Sequence, residues 1–220
     1  MRARPTPSPA PRAVSVVSDT VLVDYGAGNL RSVEKALLAA GAPRVTVTAD
    51  PDIVARADRI VLPGVGAFGA CAGALRAVPG LEPALTHAVI ANARPFLGIC
   101  VGMQLMADEG REYGAHAGLG WIPGHVERLT PADPALKIPH MGWNMVTATG
   151  PNLVETGGAY FVHSYVVRTA DPAHILATTT HGEAIVAAIG RANLLGVQFH
   201  PEKSQAYGLA LLTRWLNWRP

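Results

Sequence analysis

Hydrophobic and polar positions follow two different rhythms along this chain, and the change from one to the other divides it near residue 118. In the first part, short apolar runs alternate with segments whose apolar positions fall at helical spacing. Residues 20–25 read as a buried strand, residues 26–29 as a turn, and residues 30–40 as a helix stopping at Gly41. Residues 44–48 are a second strand, residues 51–57 a short helix, and residues 59–62 a third strand that runs into Pro63-Gly-Val-Gly66. Helical patterns cover residues 67–77 and 81–92. Residues 96–99 are apolar on both faces, which suits a central strand, and residues 101–107 return to helical spacing. Strand and helix in alternation predict a doubly wound, mostly parallel sheet.

Past residue 118 the helical segments thin out. Residues 121–129, 145–147, 159–167, 175–180, 184–189 and 194–199 read as short strands and predict a largely antiparallel half. Residues 204–218 close the chain as a helix, apolar at Ala206, Leu209, Leu212, Trp215 and Leu216. The first eleven residues are rich in proline, alanine and arginine and carry no acidic side chain. They lack the continuous apolar core of a secretory signal, and their prolines oppose the amphipathic helix of a transit peptide. Residues 1–18 are therefore expected to be a disordered extension, and residues 19–220 one domain.

Composition narrows the function classes. A chain of 220 residues, 49% hydrophobic, suffices for one domain with a sizeable core. A net charge of +2 with only 15% charged residues leaves no basic stripe, so nucleic acid is not expected as a partner. Two cysteines with no CxxC pair, and no HExxH motif, predict neither a disulfide framework nor a metal site. A reducing, cytoplasmic setting follows from that usage. No apolar run approaches the roughly 20 residues needed to cross a bilayer, so no membrane insertion is expected.

The chemistry centres on Gly98-Ile-Cys100-Val-Gly102, where a buried strand turns into a helix. Glycines on both sides of Cys100 remove side chains that would collide in so sharp a bend, leaving the sulfur exposed above the sheet. At a helix N-terminus the thiolate is favoured, the form that attacks carbonyl carbon. Taken alone, the motif fits a small core cysteine equally well. The run Gly64-Val-Gly66-Ala-Phe-Gly69 matches G-x-G-x-x-G, but no acidic residue follows at the end of the next strand and the first strand does not carry the run, so a dinucleotide site is not expected. Gly64, Val65 and Gly66 instead bring backbone N–H groups close to a ligand, as an oxyanion hole requires; a purely structural turn also fits. Among eight histidines His200 has the strongest company, a carboxylate two residues on at the end of a buried-type strand, with the cysteine bend upstream. In Gly196-Val-Gln-Phe-His-Pro-Glu202 an extended chain turns His200 and Glu202 to one side, so the glutamate can orient the imidazole as base for the cysteine. His140 and His163 lie in aromatic and polar runs that suit either a ligand loop or hydrogen bonds beneath a loop. His87, His116, His125, His174 and His181 lack such context, and Cys71 reads as core.

Asp24-Tyr-Gly-Ala-Gly-Asn29, Pro63-Gly-Val-Gly-Ala-Phe68, Gly98-Ile-Cys-Val-Gly-Met-Gln104, Ile138-Pro-His-Met-Gly-Trp-Asn144, Tyr160-Phe-Val-His-Ser-Tyr165 and Gly196-Val-Gln-Phe-His-Pro-Glu-Lys-Ser204 together resemble the class I glutamine amidotransferases. Within that class they are similar to the glutaminase subunits of imidazole glycerol phosphate synthases of histidine biosynthesis. The resemblance runs from about Val21 to the C-terminus. It implies an α/β three-layer sandwich with a mostly parallel central sheet and a smaller antiparallel sheet in the C-terminal half. It also implies a catalytic triad of Cys100, His200 and Glu202, with no cofactor and no metal. The oxyanion would be met by the N–H of Val101 and by one from Gly64, Val65 or Gly66. Gln104, His163, Ser164 and Tyr165 would surround glutamine. Trp143, Asn144 and Lys203 would lie near the interface with a (β/α)8-barrel cyclase, the expected heterodimer partner. Val101 and Val166 stand where leucine and tyrosine are common. Rival readings are a glutaminase serving another synthase, such as anthranilate or pyridoxal phosphate formation, a cysteine hydrolase of related architecture, or an inactive scaffold subunit.

Overall fold

A computed structural model of the chain describes residues 19–220; the extension expected over residues 1–18 lies outside the described residues. The first strand, β1 (Asp19–Val23), leads to α1 (Leu30–Ala39), β2 (Arg44–Thr48), α2 (Pro51–Ala55), β3 (Arg59–Gly64) and α3 (Phe68–Ala77). Helix α4 (Leu81–Thr86) continues as a π-helical turn, His87–Ala91, into β4 (Phe96–Cys100) and the four-residue α5 (Val101–Gln104). Then come β5 (Glu109–Gly110), β6 (His116–Ala117), β7 (Gly124–Arg128), β8 (His140–Ala148), β9 (Gly157–His163) and β10 (Tyr165–Thr169). Strands β11 (Ile175–Thr180), β12 (Ala184–Arg191) and β13 (Leu194–Val197) precede the closing helix α6 (Gln205–Asn217).

The main sheet has the order β2-β1-β3-β4-β13-β12-β11-β8-β9. Its strands from β2 to β13 are parallel, and those from β13 to β9 pair antiparallel. A second sheet, β10-β7-β5-β6, is smaller. The fold is α/β with a large mixed sheet and a smaller one, and most of the antiparallel strands expected in the second half extend the main sheet. Every residue of β3 and β4 is buried, the signature of a parallel centre covered on both faces. Arg59 is buried at the start of β3, where its guanidinium donates to the carbonyls of Trp215 and Trp218 at 3.0 and 2.6 Å and ties the end of α6 to the sheet.

Several elements differ from the pattern reading: the strand expected over residues 145–147 spans His140–Ala148, the one expected over residues 194–199 stops at Val197, and three further differences have a visible reason. The helix expected over residues 101–107 stops after Gln104. The carbonyls of Leu105, Met106 and Ala107 accept instead from the N–H groups of Leu119, Trp121, Ile122 and Gly120. That approach needs Gly118, where a Cβ would lie 2.0 Å from the Ala107 carbonyl oxygen. The strand expected over residues 159–167 is two strands broken at Ser164, one in each sheet. In α6 the buried stripe is Gly208, Leu211, Leu212 and Trp215, while Leu209 is exposed. The helix docks through Gly208, where a Cβ would fall 1.9 Å from the Pro201 carbonyl oxygen. Among the described residues no helix is long and apolar enough to cross a membrane.

Candidate active site

The C-terminal ends of the parallel strands converge on one cavity of about 190 Å³, lined by Val65, Gly66, Cys100, Val101, Gln104, Glu112, Val162, His163, Ser164, Tyr165, His200 and Lys203. Loops past the carboxyl ends of parallel strands are where α/β sheets hold ligands. Cys100 ends β4 with φ +56 and ψ −111, a backbone conformation that costs a non-glycine residue about 1–3 kcal/mol. Packing enforces it. A Cβ on Gly102 would lie 1.9 Å from the Leu62 carbonyl oxygen, and one on Gly98 would lie 2.6 Å from the Gly102 carbonyl oxygen. Helix α5 thus sits directly against β3 and β4, and the bend has one way to turn. The sulfur is not exposed above the sheet as the motif suggested: Cys100 is 5% accessible and opens only into the cavity.

His200 and Glu202 meet, though not on a strand. Strand β13 ends at Val197, and Pro201–Lys203 form a single 3-10 turn. Across that turn His200 Nδ1 lies 2.7 Å from Glu202 Oε1, with side chains 3% and 2% exposed. His200 Nε2 and Glu202 Oε2 are buried with no hydrogen-bond partner among the described residues. Burial would push the imidazole pKa down, but Cys100 and then Glu202 outweigh it and hold the pKa up, at about 9. The imidazolium is therefore the favoured form at neutral pH.

A second set of polar side chains runs behind the cavity. Gln198 donates from Nε2 to Cys100 Sγ at 3.7 Å. Gln104 donates from Nε2 to Gln198 Oε1 at 3.0 Å and to the Tyr165 carbonyl at 3.1 Å. The same carbonyl takes His163 Nδ1 at 3.0 Å; His163 Nε2 lies 3.0 Å from His140 Nδ1, and His140 Nε2 lies 3.0 Å from Asn144 Nδ2. A carbonyl can only accept, so the direction is set: His163 donates to Tyr165, His140 donates to His163, and Asn144 donates to His140. Both rings are then neutral. Burial is the main cause that lowers their pKa values, to about 3 for His163 and about 4 for His140. His181 stacks on His140 at 4.4 Å, a context that its own sequence neighbourhood gave no hint of.

Of the residues expected in the oxyanion hole, Val65, Gly66 and Val101 line the cavity; Gly64 lies beneath it, packed against Tyr25, Val101 and Gly102. Gln104, His163, Ser164 and Tyr165 all line it. Trp143 stands 53% exposed on β8 beside Met141 and Met145. Asn144 is turned the other way, into the histidine pair and the Thr180 carbonyl at 2.8 Å. Lys203 lies at the cavity with its ammonium 5.9 Å from the Tyr160 ring. The pattern reading missed Glu112 and Gln198. Glu112 sits in an irregular loop with no periodic signal, and there it accepts the first N–H of α3, from Phe68, at 2.7 Å. Gln198 was hidden within an expected strand.

Comparison with known proteins gives the same direction. Residues 21–216 match the family model described as glutamine amidotransferase class-I. The chain is 58% identical to imidazole glycerol phosphate synthase subunit HisH from Zymomonas mobilis, over 92% of this chain and 97% of that protein. It is 54% identical to the HisH subunit from Rhodospirillum rubrum, over 90% and 98%. Among solved structures it is similar to one described as a glutamine amidotransferase, with a TM-score of 0.70 at 19% identity over 90% of this chain and 97% of that one. It is also similar to the glutaminase domain of Trypanosoma brucei CTPS with bound acivicin, with a TM-score of 0.62 at 15% identity over 92% and 95%.

Proposed function

The chain belongs to the class-I glutamine amidotransferase family, and from that premise we propose that it is the glutaminase subunit of an imidazole glycerol phosphate synthase. It hydrolyses glutamine to glutamate and passes the ammonia to a cyclase subunit. The observation that carries this reading is the meeting, at one cavity, of a cysteine on a strained strand-to-helix bend and a buried His200–Glu202 pair 2.7 Å apart.

In the first half-reaction Cys100 Sγ, as thiolate, adds to the carboxamide carbon of glutamine. The charge that develops on oxygen is met by the N–H of Val101 and by an N–H of the Val65–Gly66 segment. His200 gives its proton to the leaving nitrogen, the C–N bond breaks, and ammonia departs from a γ-glutamyl thioester. In the second, His200 takes a proton from water as the water oxygen attacks the thioester. Collapse releases glutamate and returns the sulfur. Glu202 holds the imidazole in orientation throughout. Glu112 is the acidic side chain at the cavity, and it suits the α-ammonium group of the substrate. Gln104, His163, Ser164 and Tyr165 shape the rest of the pocket.

The exposed face of β8 and β9 supports a partner. Met141 pairs with Val162, Trp143 with Tyr160 and Met145 with Gly158, and Met141, Trp143 and Met145 are 62%, 53% and 56% exposed. Exposed apolar side chains grouped in this way mark protein–protein contact surfaces. Val162 belongs both to this face and to the cavity wall, so a cyclase docked here would lie close to where ammonia is released. The similarity to HisH subunits favours this partner over those of other synthases.

The test is glutamate release from glutamine by the chain alone and after adding a purified cyclase subunit with its ribonucleotide substrate. A large rise with partner and ligand is expected. High activity without partner points to a different glutaminase, and no activity in either state overturns the proposal in favour of a scaffold.

A further inference from the structure

Behind the Gly64–Gly66 loop lie two buried groups that the mechanism above does not use. Tyr25, just past the end of β1, is 4% exposed, and Cys71, in the first turn of α3, is 1% exposed. Each donates a hydrogen bond to the loop. Tyr25 Oη lies 2.7 Å from the Pro63 carbonyl oxygen, and Cys71 Sγ lies 3.3 Å from the Val65 carbonyl oxygen. We propose that Tyr25 and Cys71 are positioning residues, a two-point clamp that sets the direction of the loop's backbone N–H groups for oxyanion binding. This rests on the glutaminase reading given above.

In a trans peptide the C=O and N–H point in opposite directions across a rigid plane. Holding the Pro63 carbonyl fixes the direction of the Gly64 N–H, and holding the Val65 carbonyl fixes that of the Gly66 N–H. The remaining peptide, between Gly64 and Val65, is confined between two held neighbours. The loop needs such restraint, because its own side chains supply little. Val65 is 45% exposed. Gly66 adopts φ +99, and the space where its Cβ would be is empty. A glycine without packing at position 66 leaves the backbone beyond β3 many conformations, of which few aim a donor at the reacting carbon.

Both clamp residues are suited to donating. Burial first, then the neighbouring Cys71, pushes the Tyr25 phenol far above its ordinary range. Burial likewise pushes the Cys71 thiol up. Both therefore keep their protons at any pH at which the enzyme works. The clamp also touches the nucleophile's surroundings: a Cβ built on Gly64 would lie 2.9 Å from both Tyr25 Oη and Val101 Cβ. That leaves Tyr25 close beneath the strand end that pairs with Cys100 in register.

Tyr25→Phe, Cys71→Ala and Cys71→Ser in the full chain, each assembled with the cyclase subunit and its ribonucleotide ligand, test the clamp. A transition-state donor out of line lowers kcat rather than substrate binding, so Tyr25→Phe and Cys71→Ala should each lose kcat by about tenfold with KM for glutamine unchanged. Cys71→Ser, which keeps a donor, should recover most of it. Alkylation of Cys100 by iodoacetamide passes through no oxyanion and should proceed at the parent rate in all three. Hydrogen exchange at the amides of residues 64–66 should quicken in Tyr25→Phe and Cys71→Ala. Parent-like kcat in both variants, a change confined to KM, or no difference between alanine and serine at position 71 would overturn the proposal, as would unchanged exchange. Absence of glutamate release from the parent complex would instead sink the glutaminase reading and the clamp's catalytic role with it, and the exchange data would still decide whether the loop is held.

Discussion

At the scale of single residues, the pair His200 and Glu202 shows how environment sets chemistry. Burial works against the imidazolium, and the sulfur on one side and the carboxylate on the other more than offset it. The sign of the pH dependence follows. His200 holds its proton until the pH rises through about 9, so the rate should fall along an alkaline limb near that value in an initial-rate profile. Glu202→Gln keeps the shape but removes one of the supports, so the limb should move to lower pH and kcat should fall on the order of 10³-fold. A limb that stays in place would mean that Glu202 does not act through His200. Cys100→Ala should abolish glutamine hydrolysis while the assembled synthase still turns over with ammonium salts. Residual glutaminase in that variant would place the nucleophile elsewhere.

At the scale of elements, the bend between β4 and α5 depends on what is missing from it. Gly102 lies against the Leu62 carbonyl so closely that even a methyl group has no room. Gly102→Ala should therefore cost on the order of 3 kcal/mol in a denaturant titration, and lower glutaminase activity further by shifting Cys100. The β8–β9 ladder makes a different demand. It pairs His140 with His163 and holds both neutral, with pKa values lowered to about 4 and about 3. In the unfolded chain both titrate near 6.5. As pH falls from 6.5 towards 4 the unfolded state binds the more protons, so the stability contributed by this pair is present above 6.5 and is lost on acidification. Urea midpoints between pH 7.5 and 4.5 should fall more steeply for the parent than for His140→Gln. Parallel slopes would show that the pair is not what responds.

At the scale of the whole molecule, the parallel and antiparallel halves of the main sheet divide the labour. The parallel centre carries Cys100 at the end of β4 and the loop after β3, while the turn after β13 brings His200 and Glu202. The antiparallel extension presents Met141, Trp143 and Met145 outward and the histidine pair inward. The β8–β9 ladder thus has an exposed apolar face and a face towards the cavity, with Asn144 of β8 bonded to the histidine pair and Val162 of β9 lining the cavity. Trp143→Ala combined with Met145→Ala should weaken association with the cyclase by at least tenfold in a titration, because apolar and aromatic side chains at the centre of an interface dominate its energy. Thermal stability of the isolated subunit should hardly change, since both side chains are exposed. Undiminished affinity would move the interface off this face.

Much of this was readable from the order of residues. Helix and strand periods located β1 to β4, and glycines around Cys100 marked the bend, because hydrophobic period and the absence of Cβ atoms are local properties that a chain carries wherever it folds. The motifs carrying the family resemblance lie in those same local stretches. Tertiary structure decided what depends on distant chain. It ended α5 at Gln104, by giving the next carbonyls to residues 119–122, and split an expected strand between two sheets at Ser164. It drew Gln198, Glu112 and Tyr25 to the cavity and its loop. Those three are joined to it by hydrogen bonds, burial and packing between segments up to about a hundred residues apart, and no local period records which segments will meet.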